Sequence, residues 1–258
     1  MISFANLQDI PELVRLWKEA FGEEESAKRF YGKAFDEEAQ VKIIVERKDD
    51  MKIVSMLHYI SCSMKVGNSK YDGVYLYALA TDKEYRGCGI MSGLIQYAKQ
   101  IAKEEKKRFL YLIPANEELY NYYEGQGFES ILSHTVMYET IQNTECSIGN
   151  IDCEQYKKHL LKPWKKVCEN MTFSIPITEY TVGELFYEED FCGYEVVKND
   201  EVIAYYGIKD GQVCYYGENE DIIVSKETDI HKKNGCIFLC QSEKIYMNGM
   251  EIKGYIPY

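Results

Sequence analysis

Apolar residues recur at three- and four-residue spacing in some segments of the chain and run almost unbroken in others. Ile10, Leu13, Val14, Trp17 and Phe21 share one helical face. Asp9 reads as the N-cap of this helix, with Pro11 in the first turn, Glu12 completing a capping box and Gly22 as the stop. A second helix is expected over Ser26 to Phe35. Residues 41–47 (VKIIVER), 51–66 and 71–80 (YDGVYLYALA) read as strands, with turns at Asp49-Asp50 and Gly67-Asn68. The apolar run of 71–80 suits a central strand buried on both faces. Ile90, Leu94, Ile95, Ala98, Ile101 and Ala102 predict a helix over 89–105, with Lys103, Lys106, Lys107 and Arg108 near its C-terminal end.

After that helix, 109–115 (FLYLIPA) reads as a buried strand. Residues 118–127 read as a short aromatic helix stopped by glycine, and 128–140 as one strand or a pair. The order predicts a mixed α/β domain over residues 1–140. The polar segment 141–150 is expected to be the boundary. A second, smaller α+β domain follows over 150–258, opening with a helix at 152–169. Its strands lie within 193–218, with turns at Asn199-Asp200 and Asp210-Gly211, and further short strands run to the end.

The chain has 258 residues, enough to bury a core without staples. It carries 30 basic and 42 acidic residues, a net charge of −12, which disfavours nucleic acid as a partner. That sign suits a cationic small molecule, and ordinary acidic solubility explains it equally well. The 9 cysteines are irregularly spaced, and no CxxC or zinc spacing with the 4 histidines appears, so no metal is expected. No apolar run reaches the ~18 residues of a membrane span, and the first residues lack the pattern of a secretory signal. Free thiols in a reducing cytoplasm are the expectation. A homo-oligomer stays open.

The chemistry concentrates in residues 79–95 (LATDKEYRGCGIMSGLI). A buried strand ends, and an arginine and two glycines introduce a helix. The first backbone N–H groups of a helix lack intrahelical partners and, with the dipole, favour an anion. Gly87 and Gly89 let an anion approach the backbone, and Arg86 adds a charged fork. The segment is neither a Walker loop nor the dinucleotide fingerprint. A plain strand-to-helix turn remains the alternative on this loop alone.

A second segment, NEELYNYYEGQGFE at 116–129, follows the next strand. Together the two segments resemble the GNAT superfamily of acyl-CoA-dependent N-acyltransferases. Arg86-Gly87-Cys88-Gly89-Ile90-Met91 matches motif A, although Met91 stands where Gly or Ala is usual. Asn116 and Tyr123, four residues before Gly127-Phe128, match motif B. The resemblance covers residues 1–140, and Gly-Ile-Met-Ser-x-Leu-Ile looks like the enhanced-intracellular-survival branch. That branch carries C-terminal additions which this chain is too short to hold in full. Residues 193–217 look like part of a degenerate second GNAT-like half without its own R-x-x-G-x-G loop.

The resemblance implies an acetyl-CoA-dependent N-acetyltransferase acting on a primary amine of a small molecule or peptide. Acetyl-CoA would be the cosubstrate. The main chain of Leu79, Ala80 and Thr81 would pair with the pantetheine arm. Arg86 and the amides of Gly87, Cys88, Gly89, Ile90, Met91 and Ser92 would take the pyrophosphate, with Asn116 close by. Tyr123 would protonate the leaving thiolate. Cys88 is a variable position rather than a nucleophile. The base stays open among Asp72, His58, the C-terminal carboxylate of Tyr258 and water; many members place a glutamate where this chain has Gly73. Alternatives are a non-catalytic acyl-CoA-binding regulatory module, and an acyltransferase moving a longer chain or working on oxygen.

Overall fold

The structure, a computed structural model, describes residues 1–22, 24–36, 39–48, 52–66, 69–136, 140–141, 147–150, 173–174, 192–198, 201–209, 212–216, 224–225, 231–239 and 254–255. They belong to two compact units, one built mainly from Met1–Leu132 with Asn234–Ile252, the other mainly from Ser133–Lys233. Among the described residues, no helix is long and apolar enough to cross a membrane.

The first unit is a mixed α/β fold. Its elements are β1 (Ile2–Phe4), α1 (Ile10–Phe21), α2 (Glu24–Ala34), β2 (Val41–Arg47), β3 (Ile53–Val66), β4 (Ser69–Thr81), α3 (Ile90–Glu104), β5 (Phe109–Leu112), α4 (Glu118–Gly125) and β6 (Glu129–Val136). Strands β1 to β4 pair antiparallel in sequence order, and β4 pairs parallel with β5. A parallel pair needs a crossover, and α3 supplies it.

Alternation along the strands sorts the core onto two faces. Leu57, Tyr59, Val74 and Leu76 pack with Leu94, Ile95, Ala98 and Ala102 of α3 and with Tyr123 and Phe128. On the opposite face, His58 of β3 and Tyr77 of β4 meet Trp17 of α1 and Phe30 of α2 with ring centroids 5.0–6.2 Å apart. Helix α1 ends as expected: Gly22, at φ 83°, donates its N–H to the Lys18 carbonyl. Its start differs from the expectation. Asn6 caps a short 3₁₀ turn over Leu7–Asp9, and the capping box is Asn6 with Asp9. Asp9 makes no side-chain cap on α1; its carboxylate instead pairs with Arg47 of β2 at 2.5 Å.

The remaining strands are β7 (Thr140–Ile141), β8 (Ser147–Asn150), β9 (Phe173–Ser174), β10 (Cys192–Lys198), β11 (Glu201–Lys209), β12 (Gln212–Tyr216), β13 (Val224–Ser225), β14 (His231–Leu239) and β15 (Gly254–Tyr255). In the second unit β12, β11, β10 and β8 form an antiparallel sheet in that order. Strand β7 pairs with β13 and β9 with β15. Strand β8 falls in the polar stretch read as a boundary. Cys236–Leu239 of β14 run antiparallel to β5, so late-sequence residues extend the first sheet beyond β5. The expected helix at 152–169 and the turns at Asp49-Asp50, Gly67-Asn68, Asn199-Asp200 and Asp210-Gly211 lie outside the described residues.

Candidate active site

Strand β4 carries the first feature of the site. Its register against β3 shifts between Met56 and His58: Tyr77 faces His58, Ala80 faces Met56, and Leu57 therefore stands opposite both Ala78 and Leu79. This is a bulge, and the extra residue reverses the alternation beyond it. Tyr77 and Ala80 lie on the α1–α2 face, whereas Leu79 packs against the α3 face of the core. Ala78 sits at φ 46°, a left-handed conformation uncommon outside glycine. The parallel register between β4 and β5 runs from Gly73–Phe109 to Tyr75–Tyr111, so Leu79, Ala80 and Thr81 extend past it.

The turn from β4 into α3 is braced from several sides. The Ser55 hydroxyl donates to the Ala80 carbonyl at 3.0 Å and lies 2.9 Å from the Thr81 hydroxyl. Asp82, buried, accepts from the Glu84 N–H and pairs with Lys52 at 2.9 Å and Arg15 at 3.4 Å. Burial pulls its carboxyl up, but Lys52, the Glu84 N–H and Arg15 outweigh this and hold it below its ordinary value. Arg86 is exposed and turned back: its Nε donates to the Thr81 carbonyl at 3.0 Å. Gly87 and Gly89 have φ 76° and 74°, and Gly89 is the N-cap of α3. The bond from Gly93 N–H to the Gly89 carbonyl opens the helical ladder, so the amides of Ile90, Met91 and Ser92 precede it. A Cβ at Gly87 or Gly89 would meet nothing within 4 Å, so the space over this backbone is open.

Helix α4 supplies the next group. Asn116 Oδ1 accepts the Leu119 N–H at 3.2 Å, so this side chain caps the start of α4. Tyr123 is buried, against Tyr122 at 5.2 Å and Phe128 at 6.1 Å between ring centroids. The spacing from Tyr123 to Gly127-Phe128 is a helix stop. Phe128 N–H bonds to the Tyr123 carbonyl and Gly127 N–H to the Glu124 carbonyl, with Gly127 at φ 81°. Burial pushes the Tyr75 phenol on β4 up, and Tyr77, Cys62 and Tyr123 add smaller upward pulls. The Ser92 hydroxyl lies 3.1 Å from the Tyr122 hydroxyl and accepts from Gln126 Nε2 at 3.1 Å. The sequence reading missed this tie between α3 and α4; the interleaved tyrosines of α4 are the one signal that pointed to it.

The base candidates separate. Asp72 sits near the start of β4, roughly 20 Å from Ala78 at about 3.3 Å per residue. His58 is fully buried. Its Nδ1 is 3.1 Å from the Tyr77 carbonyl and its Nε2 3.0 Å from the Tyr31 hydroxyl. Burial pulls its pKa down to about 4, against smaller upward pulls from the Tyr77 and Ala78 backbone. Gly73 leaves no room for a side chain, since a Cβ there would stand 2.3 Å from the Phe109 ring. Tyr258 lies outside the described residues. Among the described residues no cluster of His, Cys, Asp and Glu suits a metal ion.

The acetyltransferase (GNAT) domain family matches residues 2–131. No curated protein matches the sequence at a significant level. A GCN5-related N-acetyltransferase from Anabaena variabilis ATCC 29413 is 14% identical with a TM-score of 0.68, the match covering 93% of this chain and 73% of that one. A conserved protein of unknown function from Enterococcus faecalis V583, termed "Probable N-Acyltransferase", is 12% identical with a TM-score of 0.69, covering 93% and 72%. A GCN5-related N-acetyltransferase from Kribbella flavida is 13% identical with a TM-score of 0.63, covering 93% and 71%. At these identities the likeness is one of fold.

Proposed function

The chain belongs to the GNAT acetyltransferase domain family and is an acyltransferase, and from that premise we propose that it transfers an acetyl group from acetyl-CoA to a primary amine of a small molecule or peptide. The observation that carries this reading is the start of α3. Gly87 and Gly89 hold left-handed backbone there, with open space where a Cβ would stand. A pyrophosphate fits such a cradle, because the helix-start amides and the dipole both favour an anion. In this reading the amides of residues 87–92 take the pyrophosphate and Arg86 adds charge at the rim. The main chain of Leu79, Ala80 and Thr81 pairs with the pantetheine arm. The Asn116 side chain, which caps α4, borders the same site.

Acetyl-CoA, when bound, supplies a thioester carbonyl to a neutral amine, and the CoA thiolate leaves. The protein's part is to hold the two reactants in line, which can supply much of the rate, and to move protons. The Tyr123 hydroxyl donates to the thiolate; a phenol with an ordinary pKa of about 10 still holds its proton at neutral pH. The amine proton leaves through water, because Asp72 is remote and both ring nitrogens of His58 are engaged. The same reading assigns cofactor binding to residues 1–140 alone and places the protein in a reducing cytoplasm, supported by free thiols at Cys62 and Cys88.

Free-thiol release from acetyl-CoA over polyamines, aminoglycosides and lysine peptides tests it. Release dependent on one amine class is expected, and Tyr123→Phe should lower kcat by ~10²–10⁴-fold with little change in acetyl-CoA affinity. Binding of acetyl-CoA without amine-dependent release would make the chain a non-catalytic acyl-CoA-binding module.

A further inference from the structure

The bulge in β4 needs something to hold it. Ala78 has a Cβ and yet sits at φ 46°, a conformation that the neighbouring structure must enforce. Leu57 stands opposite Ala78, and the next residue of β3, His58, is paired with Tyr77, the residue just before the bulge. The His58 ring is fully buried between Trp17, Phe30, Tyr31 and Tyr77. An apolar side chain would fill such a place without desolvating a polar group. The polar atoms are therefore informative. The Tyr77 carbonyl can only accept, so Nδ1 carries the ring proton and donates to it at 3.1 Å. Nε2 is then the acceptor for the Tyr31 hydroxyl at 3.0 Å, a proton that the hydroxyl shares with the Met56 sulfur at 3.3 Å. One neutral tautomer satisfies both partners, and Tyr31 reaches it from α2.

We propose that His58 is a positioning residue that sets the β4 bulge: by donating Nδ1–H to the Tyr77 carbonyl it holds Ala78 as the extra residue and so turns Leu79 and Ala80 to their respective faces. With the alternation of Tyr75 and Tyr77 continued unbroken, Leu79 would fall on the α1–α2 face and Ala80 on the α3 face. The strand that is to pair with the pantetheine arm would then present the wrong edge and the wrong side chains. The link to acetyl-CoA rests on the functional reading above; the link between His58 and the bulge does not. His58 neither touches the reacting atoms nor exchanges its proton with the amine.

The test uses isosteric replacements in the full chain. The side-chain nitrogen of Asn overlays Nδ1, and the amide group of Gln reaches the position of Nε2. Three quantities are measured: acetyl-CoA affinity by calorimetry, melting temperature, and amide exchange of the segment 78–81 without ligand. His58→Asn should keep affinity within about threefold and leave exchange of 78–81 unchanged. His58→Gln should weaken affinity at least tenfold and speed that exchange, at a melting temperature no lower than that of His58→Asn. Affinity that follows melting temperature in both variants, or exchange of 78–81 alike in all three proteins, overturns the proposal. If neither variant folds, the ¹⁵N spectrum of wild-type His58 decides: an Nδ1–H tautomer supports the pin and an Nε2–H tautomer overturns it. Wild-type protein that does not bind acetyl-CoA overturns the functional reading, and exchange with the tautomer then decides the pin alone.

Discussion

The Ser92 hydroxyl in the first turn of α3 lies 3.1 Å from the Tyr122 hydroxyl on α4. Gln126 donates to the same oxygen, and the Lys99 ammonium of α3 donates to the Gln126 carbonyl. Helix α4, which carries Tyr123, is thus bound to the helix whose first amides are proposed to cradle the pyrophosphate. The Ser92 side chain is spent on this tie, which leaves its backbone N–H for the proposed anion.

Ser92→Ala separates the two parts of this residue. The hydroxyl is lost and the amide kept. Stability should fall by about 1 kcal/mol, the usual net worth of a hydrogen bond, while acetyl-CoA affinity stays within threefold. Urea denaturation and calorimetric titration measure the two quantities. A large loss of affinity would mean that the hydroxyl itself contacts the phosphates.

Gly73 and Phe109 set another expectation. A Cβ at 73 would stand 2.3 Å from a fully buried ring. Gly73→Ala should therefore destabilise by about 1–3 kcal/mol, as overpacked cores do. Gly32→Ala is the control: it lies in α2 with nothing within 4 Å of its added Cβ, and should be neutral or stabilising. Chemical denaturation of both variants checks this. The usual glutamate before motif A is excluded here by the packing of β5.

His58 makes stability depend on pH. Its folded pKa is about 4 against an ordinary 6.5. Between these values the unfolded chain binds a proton that the folded protein does not, so stability falls as pH drops through this window. The group contributes no further change above 6.5 or below 4. The gap corresponds to about 3 kcal/mol of stability lost by pH 4. His58→Asn removes this part of the profile, so the difference between the two unfolding curves should shrink or widen only between pH 6.5 and 4. Parallel profiles over that range would mean that His58 titrates normally.

The elements of the first unit were legible because each signal was local. Tyr123 and Gly127-Phe128 keep their spacing because the helix must stop in a left-handed residue that turns Phe128 back on Tyr123. Gly22 ends α1 for a similar reason. What was not legible depends on distant partners. Asp9 reads as a helix cap, but Arg47 of β2 and the Asn6 N–H claim its carboxylate. The bulge falls on Ala78, where propensity offers no warning, and His58 reads as an open candidate base until the carbonyl of Tyr77 and the hydroxyl of Tyr31 occupy its nitrogens. The pairing of β14 with β5 joins segments more than 100 residues apart, and local pattern cannot supply such a contact.

Calorimetric titration of wild type against Gly89→Val reads out whether one acetyl-CoA binds at the start of α3, as proposed. Gly89 has φ 74° and open space at its Cβ, so valine there strains the backbone and intrudes on the cradle. One equivalent bound per wild-type chain is expected, with affinity at least tenfold weaker in the folded variant, equivalent to ~1.4 kcal/mol. Two equivalents per chain, or unchanged affinity in a folded Gly89→Val protein, would contradict this assignment.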